Sequence, residues 1–81
     1  MPNKLRTLSG NEIVKFLEKN GFYIDGTHGS HRKMKRIINE HKQTLIIPLH
    51  KQVAKGTLHD IFRQIYEYIP EDKVQTFFYT E

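Results

Sequence analysis

The stretch that most restricts how this chain can fold is a glycine-bounded turn, Gly26 to Gly29, that runs directly into a strand-like segment. That segment extends from about Ser30 to Ile38 and contains four cations, Arg32, Lys33, Lys35 and Arg36. Because successive side chains of a strand point to opposite faces, His31, Lys33 and Lys35 are expected to share one face. The sequence therefore predicts a strand that presents one titratable imidazole beside two ammonium groups.

A helix and two further strands are predicted around this segment. The capping box Ser9–Glu12 should open a first helix that spans Gly10 to Asn20. The aromatic and β-branched segment Phe22–Asp25 is predicted as strand one, and Gln43–Leu49 as strand three. Since Pro48 cannot donate a backbone hydrogen bond, strand three is expected at an edge of the sheet.

A second helix should follow the three strands. Thr57 and Asp60 form a weaker capping pair at its start, and Pro70 should end it. The predicted fold is therefore α+β, with the order α-β-β-β-α and a three-stranded antiparallel sheet that packs both helices on one face. With Met34 as the core residue of strand two, His31 and its neighbouring lysines belong to the uncovered face.

The whole chain, residues 1–81, is predicted to form a single domain, because its length leaves no room for a second one. Its core should lie at about residues 5–69, with residues 70–81 as a C-terminal extension. Two structures fit this extension. Pro70 and the acids after it are an acceptable helix start, whereas the aromatic segment Thr76–Thr80 suits a strand.

Composition excludes several classes of protein. The chain has no cysteine, so neither a disulfide framework nor a thiolate metal site can support the fold. The apolar run Leu45–Ile47 is far too short to span a membrane, and we expect a soluble, cytoplasmic protein. The formal net charge is +4, and Glu40 is the single acid between Thr27 and Gly56. Such segregation of charge is typical of proteins that bind nucleic acids.

Five histidines raise the question of a metal site. His28 and His31 are three residues apart, and His50 is expected to approach from the next strand. A zinc site requires one or two further ligands, and a catalytic zinc site usually has an outer shell of carboxylates, but Asp25 is the only acid nearby. We therefore predict no metal and no cofactor, and we interpret His28 as a loop residue, with contact to a ligand as the less favoured alternative.

The remaining chemistry is cleavage of a phosphodiester without a metal. RNA supplies its own nucleophile, the 2′-hydroxyl group, so an enzyme needs one group that moves a proton and cations that stabilise the phosphorane. His31 with Lys33 and Lys35 meets these requirements. The alternative is that His31 only forms a hydrogen bond to the turn at Gly29.

Two further lysines, Lys51 and Lys55, flank the predicted start of the second helix. Helix N-termini bind anions, because their first backbone N–H groups have no partner within the helix. We therefore interpret both lysines as weaker candidates for contacts that extend the path of the RNA.

Several short motifs, in this order, resemble those of the HicA toxins, which are small ribonucleases of bacterial toxin–antitoxin pairs. The matching segments are Leu8–Val14, Lys19–Phe22, Gly29–Met34, Ile47–His50 and Lys55–Leu58, followed by Ile61 and Gln64. The chain departs from the family pattern where it continues well past Gln64, to Glu81.

This resemblance implies a fold like that of double-stranded-RNA-binding domains and an endoribonuclease that cleaves mRNA. It also implies that the histidine of the Gly-Ser-His motif, here His31, is the catalytic residue. A cognate HicB-like antitoxin protein of a type II pair would then bind the toxin and mask its site.

Two other functions fit the same charges. A non-catalytic double-stranded-RNA-binding module would contact phosphates and 2′-hydroxyl groups without needing a histidine on the uncovered face. A small interaction domain would use its basic surface to dock an acidic protein.

Overall fold

The computed structural model describes residues 4–80, and residues 1–3 and 81 lie outside the described part of the chain. The elements in this part are β1 (Lys4–Leu5), α1 (Gly10–Lys19), β2 (Tyr23–His28), β3 (His31–Ile38), β4 (His41–Pro48), α2 (Lys55–Tyr66), α3 (Glu71–Phe78) and β5 (Tyr79–Thr80). Strands β2, β3 and β4 form an antiparallel sheet in that order, and β1 pairs with β5. The predicted α+β fold with the order α-β-β-β-α is confirmed, and α3 and the small second sheet are additions to it.

The N-terminus of α1 is held by two sets of contacts. The Ser9 hydroxyl accepts a hydrogen bond from the Glu12 backbone N–H at 3.1 Å. The Glu12 carboxylate in turn accepts one from the Ser9 N–H at 2.9 Å, which lowers the pKa of that carboxyl group. The Gly10 N–H donates to the His50 carbonyl at 2.9 Å, and a Cβ atom on Gly10 would lie 2.0 Å from the Pro48 carbonyl oxygen. Only a glycine allows α1 to begin this close to the end of β4.

Two tight turns set the register of the three-stranded sheet. The turn Gly29–Ser30 joins β2 to β3, and its glycine has φ +57°, so that His28 pairs directly with His31. A positive φ at the first central residue alone is typical of a type II′ turn. In the turn between β3 and β4, Asn39 and Glu40 have φ of 50° and 67°, as in a type I′ turn.

An apolar core lies between one face of this sheet and the helices. Met34 of β3 and Leu45 and Ile47 of β4 are buried, as the alternation of the strands predicts. The helices contribute the buried side chains of Ile13, Val14, Leu17, Leu58, Ile61, Ile65, Val74 and Phe78. Both α1 and α2 contact β4, which is an edge strand as predicted. The position of Met34 leaves His31 and the lysines of β3 on the opposite face.

The predicted start of the second helix at the pair Thr57 and Asp60 is wrong. Helix α2 begins earlier, with Ala54 as its N-cap and with no hydrogen bond from a capping side chain. The reason is a tertiary contact that precedes the helix. Val53 is buried, and its backbone N–H donates to the Leu8 carbonyl at 2.8 Å. This contact fixes the direction of the chain before the predicted capping pair is reached.

The C-terminal segment adopts both of the predicted structures in succession. Helix α2 ends at Tyr66, and Pro70 does not terminate it but is the N-cap of α3. The helical alternative is confirmed through Phe78, and the strand alternative holds for Tyr79–Thr80, which pairs with β1. Val74 and Phe78 are buried, so this segment packs into the common core.

Candidate active site on the uncovered sheet face

The sheet face turned away from the helices, which we call the open face, carries side chains from all three strands. These are Tyr23, Asp25 and His28 of β2, His31, Lys33, Lys35 and Ile37 of β3, and Lys42, Thr44 and Ile46 of β4. Ile37 and Ile46 are 55% and 49% exposed. Within residues 4–80, the helices therefore leave this face accessible to a partner.

His31 is the first residue of β3 and lies at one corner of the open face. It is exposed and pairs with Pro48 of β4. The carbonyl of the preceding residue, Ser30, accepts a hydrogen bond from the Leu49 N–H, which fastens the β2–β3 turn to the end of β4. Lys51 follows shortly after and is also exposed. The backbone under His31 is thus fixed on both sides, while its imidazole lies at the surface.

Lys33 and Lys35 converge on one carboxylate. The Asp25 Oδ2 atom lies 3.1 Å from the Lys35 Nζ atom and 3.8 Å from the Lys33 Nζ atom. The rise of a strand places His31 about 7 Å from Lys33 along the same face. The structure therefore places His31 and both lysines on one face of β3, with Lys35 about 14 Å from His31 along the strand. It adds Asp25, an acid that the sequence predicts no role for on this face.

A β-bulge in β2 directs Asp25 towards these lysines. Ile24 pairs with Met34 and Thr27 pairs with Arg32, so two residues of β2 lie opposite one residue of β3. Gly26, the second residue of the bulge, has φ +133°, a conformation that side-chain-bearing residues rarely adopt. Bulges are common beside active sites because they redirect a side chain. The predicted start of the turn at Gly26 is wrong, because the glycine after Asp25 forms a bulge and β2 continues to His28.

The interpretation of His28 as a loop residue is wrong. Strand β2 continues through the bulge, and His28 is its last residue, paired directly with His31. The reason is that the turn Gly29–Ser30 needs only two residues, so the residues before it remain in the strand. The structure therefore places two exposed imidazoles opposite each other on the open face.

Two clefts lie elsewhere in the described part of the molecule. One, of about 520 Å³, lies between α1 and α3, and its lining includes Phe16 stacked on Phe77 with ring centroids 4.2 Å apart. The other, of about 160 Å³, is lined by Lys55, Leu5 and Val53 among others. No side chain of the open face lines either cleft. Lys55 therefore lines a cleft to which His31, Lys33 and Lys35 do not contribute.

Arg36 points to the covered face of β3 and makes structural contacts. Its guanidinium donates to the Asn20 carbonyl at 2.8 Å, to the Tyr68 carbonyl at 2.6 Å and to the Gln43 side chain at 2.8 Å. It also lies over the Phe22 ring, 4.7 Å from the centroid. Burial lowers the pKa of this guanidinium. Arg36 therefore ties the end of α1 and the turn after α2 to the sheet.

Among residues 4–80, no group of three or more His, Cys, Asp or Glu side chains is arranged to hold a metal ion. The chemistry available on the open face is that of imidazoles, which transfer protons, beside ammonium groups, which bind anions.

None of the helices among residues 4–80 is both long and apolar enough to cross a membrane.

A comparison with protein families gives one match. Residues 10–65 match the model of a family described as the HicA toxin of bacterial toxin–antitoxin systems. This range includes α1, the three-stranded sheet and nearly all of α2, and thus the whole open face. Neither the curated proteins nor the solved structures gave a match.

Proposed function

The chain belongs to the HicA family of toxins from bacterial toxin–antitoxin pairs, and on that premise we propose that it is a metal-independent endoribonuclease that cleaves mRNA. In this proposal His31 is the catalytic residue, and Lys33 and Lys35 bind the scissile phosphate. The main support is the position of the exposed His31 imidazole on the same face as two ammonium groups that converge on one anion.

The reaction is an internal transesterification of the RNA. His31 removes the proton of the 2′-hydroxyl group, and the 2′-oxygen then attacks phosphorus as the bond from phosphorus to the 5′-oxygen breaks. Negative charge develops on the phosphorane oxygens, and ammonium groups placed in advance stabilise it. The leaving 5′-oxygen takes up a proton. The products are a 2′,3′-cyclic phosphate and a 5′-hydroxyl end, and no metal is needed to generate the nucleophile.

The Asp25 carboxylate occupies the position that a phosphate would take between the two lysines. It lies within ion-pair distance of both ammonium groups and is itself only partly exposed. Ion pairs that solvent reaches in this way typically contribute about 1 kcal/mol or less, so a phosphate diester that brings additional contacts can displace it. Asp25 thus keeps the lysine side chains in place before RNA binds.

Lys51 and Lys55 are proposed to contact nucleotides on either side of the cleaved bond. Lys51 is exposed on the segment that leaves the sheet beside His31. Lys55 begins α2, whose first turn contains no acidic residue and has no side-chain cap. The N–H groups of that turn favour a phosphate. Because Lys55 lines a cleft to which the open-face group does not contribute, its loss should weaken binding more than it slows the chemical step.

Membership of a toxin–antitoxin family implies an antitoxin partner. We propose that this partner is a HicB-like protein that covers the open face and so excludes RNA from His31. Exposed apolar side chains among the cations, such as Ile46, are suited to such a contact. The proposed site of action is the cytoplasm, where mRNA is available.

The test is incubation of the purified protein with a labelled mRNA fragment in excess EDTA. We expect cleavage with 2′,3′-cyclic phosphate ends, because the reaction needs no metal. The same RNA with 2′-O-methyl groups at every position should bind but stay intact, because its nucleophile is blocked.

Three outcomes would contradict the proposal. Salt-sensitive binding of both RNAs without cleavage would favour a double-stranded-RNA-binding module. Neither binding nor cleavage would favour a domain that docks an acidic protein. Cleavage of the 2′-O-methyl RNA would refute the proposed nucleophile.

A further inference from the structure

We propose that His28 is a second catalytic residue, which donates a proton to the leaving 5′-oxygen while His31 accepts the proton of the 2′-hydroxyl group. This inference rests on the proposed ribonuclease function and extends it from one imidazole to two. The observation behind it is that the β2–β3 hairpin places the two histidines directly opposite each other.

The hairpin geometry brings both rings to the same substrate. Side chains of directly paired residues on antiparallel strands point to the same face, with Cβ atoms about 4.5–5.5 Å apart. His28 and His31 are both exposed, so both rings lie at the surface that an RNA strand would contact. The turn between them is short and is anchored to β4 by the bond between Leu49 and Ser30. The pair is therefore held at a fixed spacing.

The chemistry favours two proton-transfer groups over one. In an in-line displacement the 2′-oxygen enters on one side of phosphorus and the 5′-oxygen leaves on the other. A single imidazole must take up one proton and then reach the opposite side to return it. With two imidazoles, the 2′-hydroxyl proton passes to His31 as the 2′-oxygen–phosphorus bond forms. The proton of the His28 imidazolium passes to the 5′-oxygen as the bond between this oxygen and phosphorus breaks. Proton exchange with water then returns both rings to their starting protonation states.

The surroundings of His28 contain charges of both signs. Asp25 precedes it on the same face of β2, His31 lies directly opposite it on β3, and Lys33 follows His31 on the same face of β3. Beyond the end of β4, His50 is exposed in the segment after the residue paired with His31. Because one ring must be neutral and the other protonated, cleavage should slow on both the acidic and the alkaline side of an optimum pH.

The experiment compares two RNAs of the same sequence. One has the ordinary 5′-oxygen at the cleaved bond, and the other has a bridging sulfur there, which leaves without being protonated. We expect His28→Gln to slow cleavage of the ordinary RNA about 100-fold, which is the usual contribution of a general acid. Cleavage of the sulfur RNA should change little, and the alkaline decline of the pH profile should disappear.

Two control variants make the result specific. His31→Gln should slow cleavage of both RNAs, because it removes the base that both need. His41→Gln alters an exposed histidine at the far end of the sheet and should affect neither. The inference is overturned if His28→Gln slows both RNAs equally or slows neither. If the unaltered protein cleaves neither RNA, the proposed function itself fails.

Discussion

The two faces of strand β3 both carry positively charged side chains, but these side chains make different kinds of contact. On the open face, Lys33 and Lys35 are held by one carboxylate, that of Asp25, on a bulged edge strand. On the covered face, Met34 is fully buried, and the Arg36 guanidinium is bound to backbone carbonyls at the ends of two helical segments.

This difference shows that a count of positive charges does not identify the charges that bind a ligand. The partners of Arg36 are parts of the fold that cannot move away, so its charge is committed to structure. The partner of the two lysines is a single side chain that an incoming phosphate can replace. If the proposed function holds, residues one position apart in the sequence serve stability and binding separately, and substitutions on the two faces should have separable effects.

The largest expected difference in stability is between Met34 and Lys33. Met34→Ala should lower the free energy of unfolding by about 3 kcal/mol, because it leaves a cavity in the core. Lys33→Ala should change it by less than about 0.5 kcal/mol, since its ion pair is exposed. Urea denaturation of both variants measures this difference. Equal losses would mean that the open face also carries the fold.

Arg36 and Lys35 provide the same comparison between two cations. Arg36→Ala should cost about 2 kcal/mol of unfolding free energy, because the carbonyls of Asn20 and Tyr68 lose a charged donor. Lys35→Ala should cost less than about 1 kcal/mol, but it should weaken RNA binding and reduce its salt dependence by about one phosphate contact. Binding measured over a range of salt concentrations tests the second part. Weaker RNA binding by a folded Arg36→Ala protein would contradict the assignment of Arg36 to structure.

Replacement of the competing carboxylate should strengthen binding on the open face. In a His31→Ala background, which keeps the RNA intact, Asp25→Asn should tighten RNA binding by up to about 5-fold, because it frees two ammonium groups from their ion pairs. Asp60→Asn is the matched control, since it changes the net charge equally on α2, away from the open face. If both variants tighten binding by the same factor, the effect is one of overall charge only.

The smallest expected effect is at the turn that joins β3 to β4. Glu40 has φ 67°, which favours glycine, so Glu40→Gly should stabilise the protein by about 0.5 kcal/mol after the entropy cost of glycine. RNA cleavage should not change, because the turn lies at the end of the sheet opposite His31. A lower thermal midpoint would show that Glu40 makes a contact that outweighs its backbone strain.

The sequence was sufficient where local rules determine the structure. The capping box at Ser9 fixes the start of α1, and the alternation around Met34 assigns His31 and the lysines of β3 to one face. The sequence was insufficient where a contact between residues distant in the chain determines the structure. The start of α2 depends on the bond between Val53 and Leu8, and the position of Arg36 depends on helix ends that only the folded chain brings together. The length of β2 does not follow from the sequence, because Gly26 permits a bulge as readily as a turn.

The most direct test of the account is the cleavage rate of His31→Ala, measured together with its thermal midpoint and compared with the unaltered protein and His41→Ala. Removal of a catalytic acid–base group should slow RNA cleavage by at least about 100-fold. The thermal midpoint and RNA affinity should remain close to those of the unaltered protein, because His31 is exposed. A folded His31→Ala protein that still cleaves RNA at the original rate would contradict the assignment of catalysis to the open face.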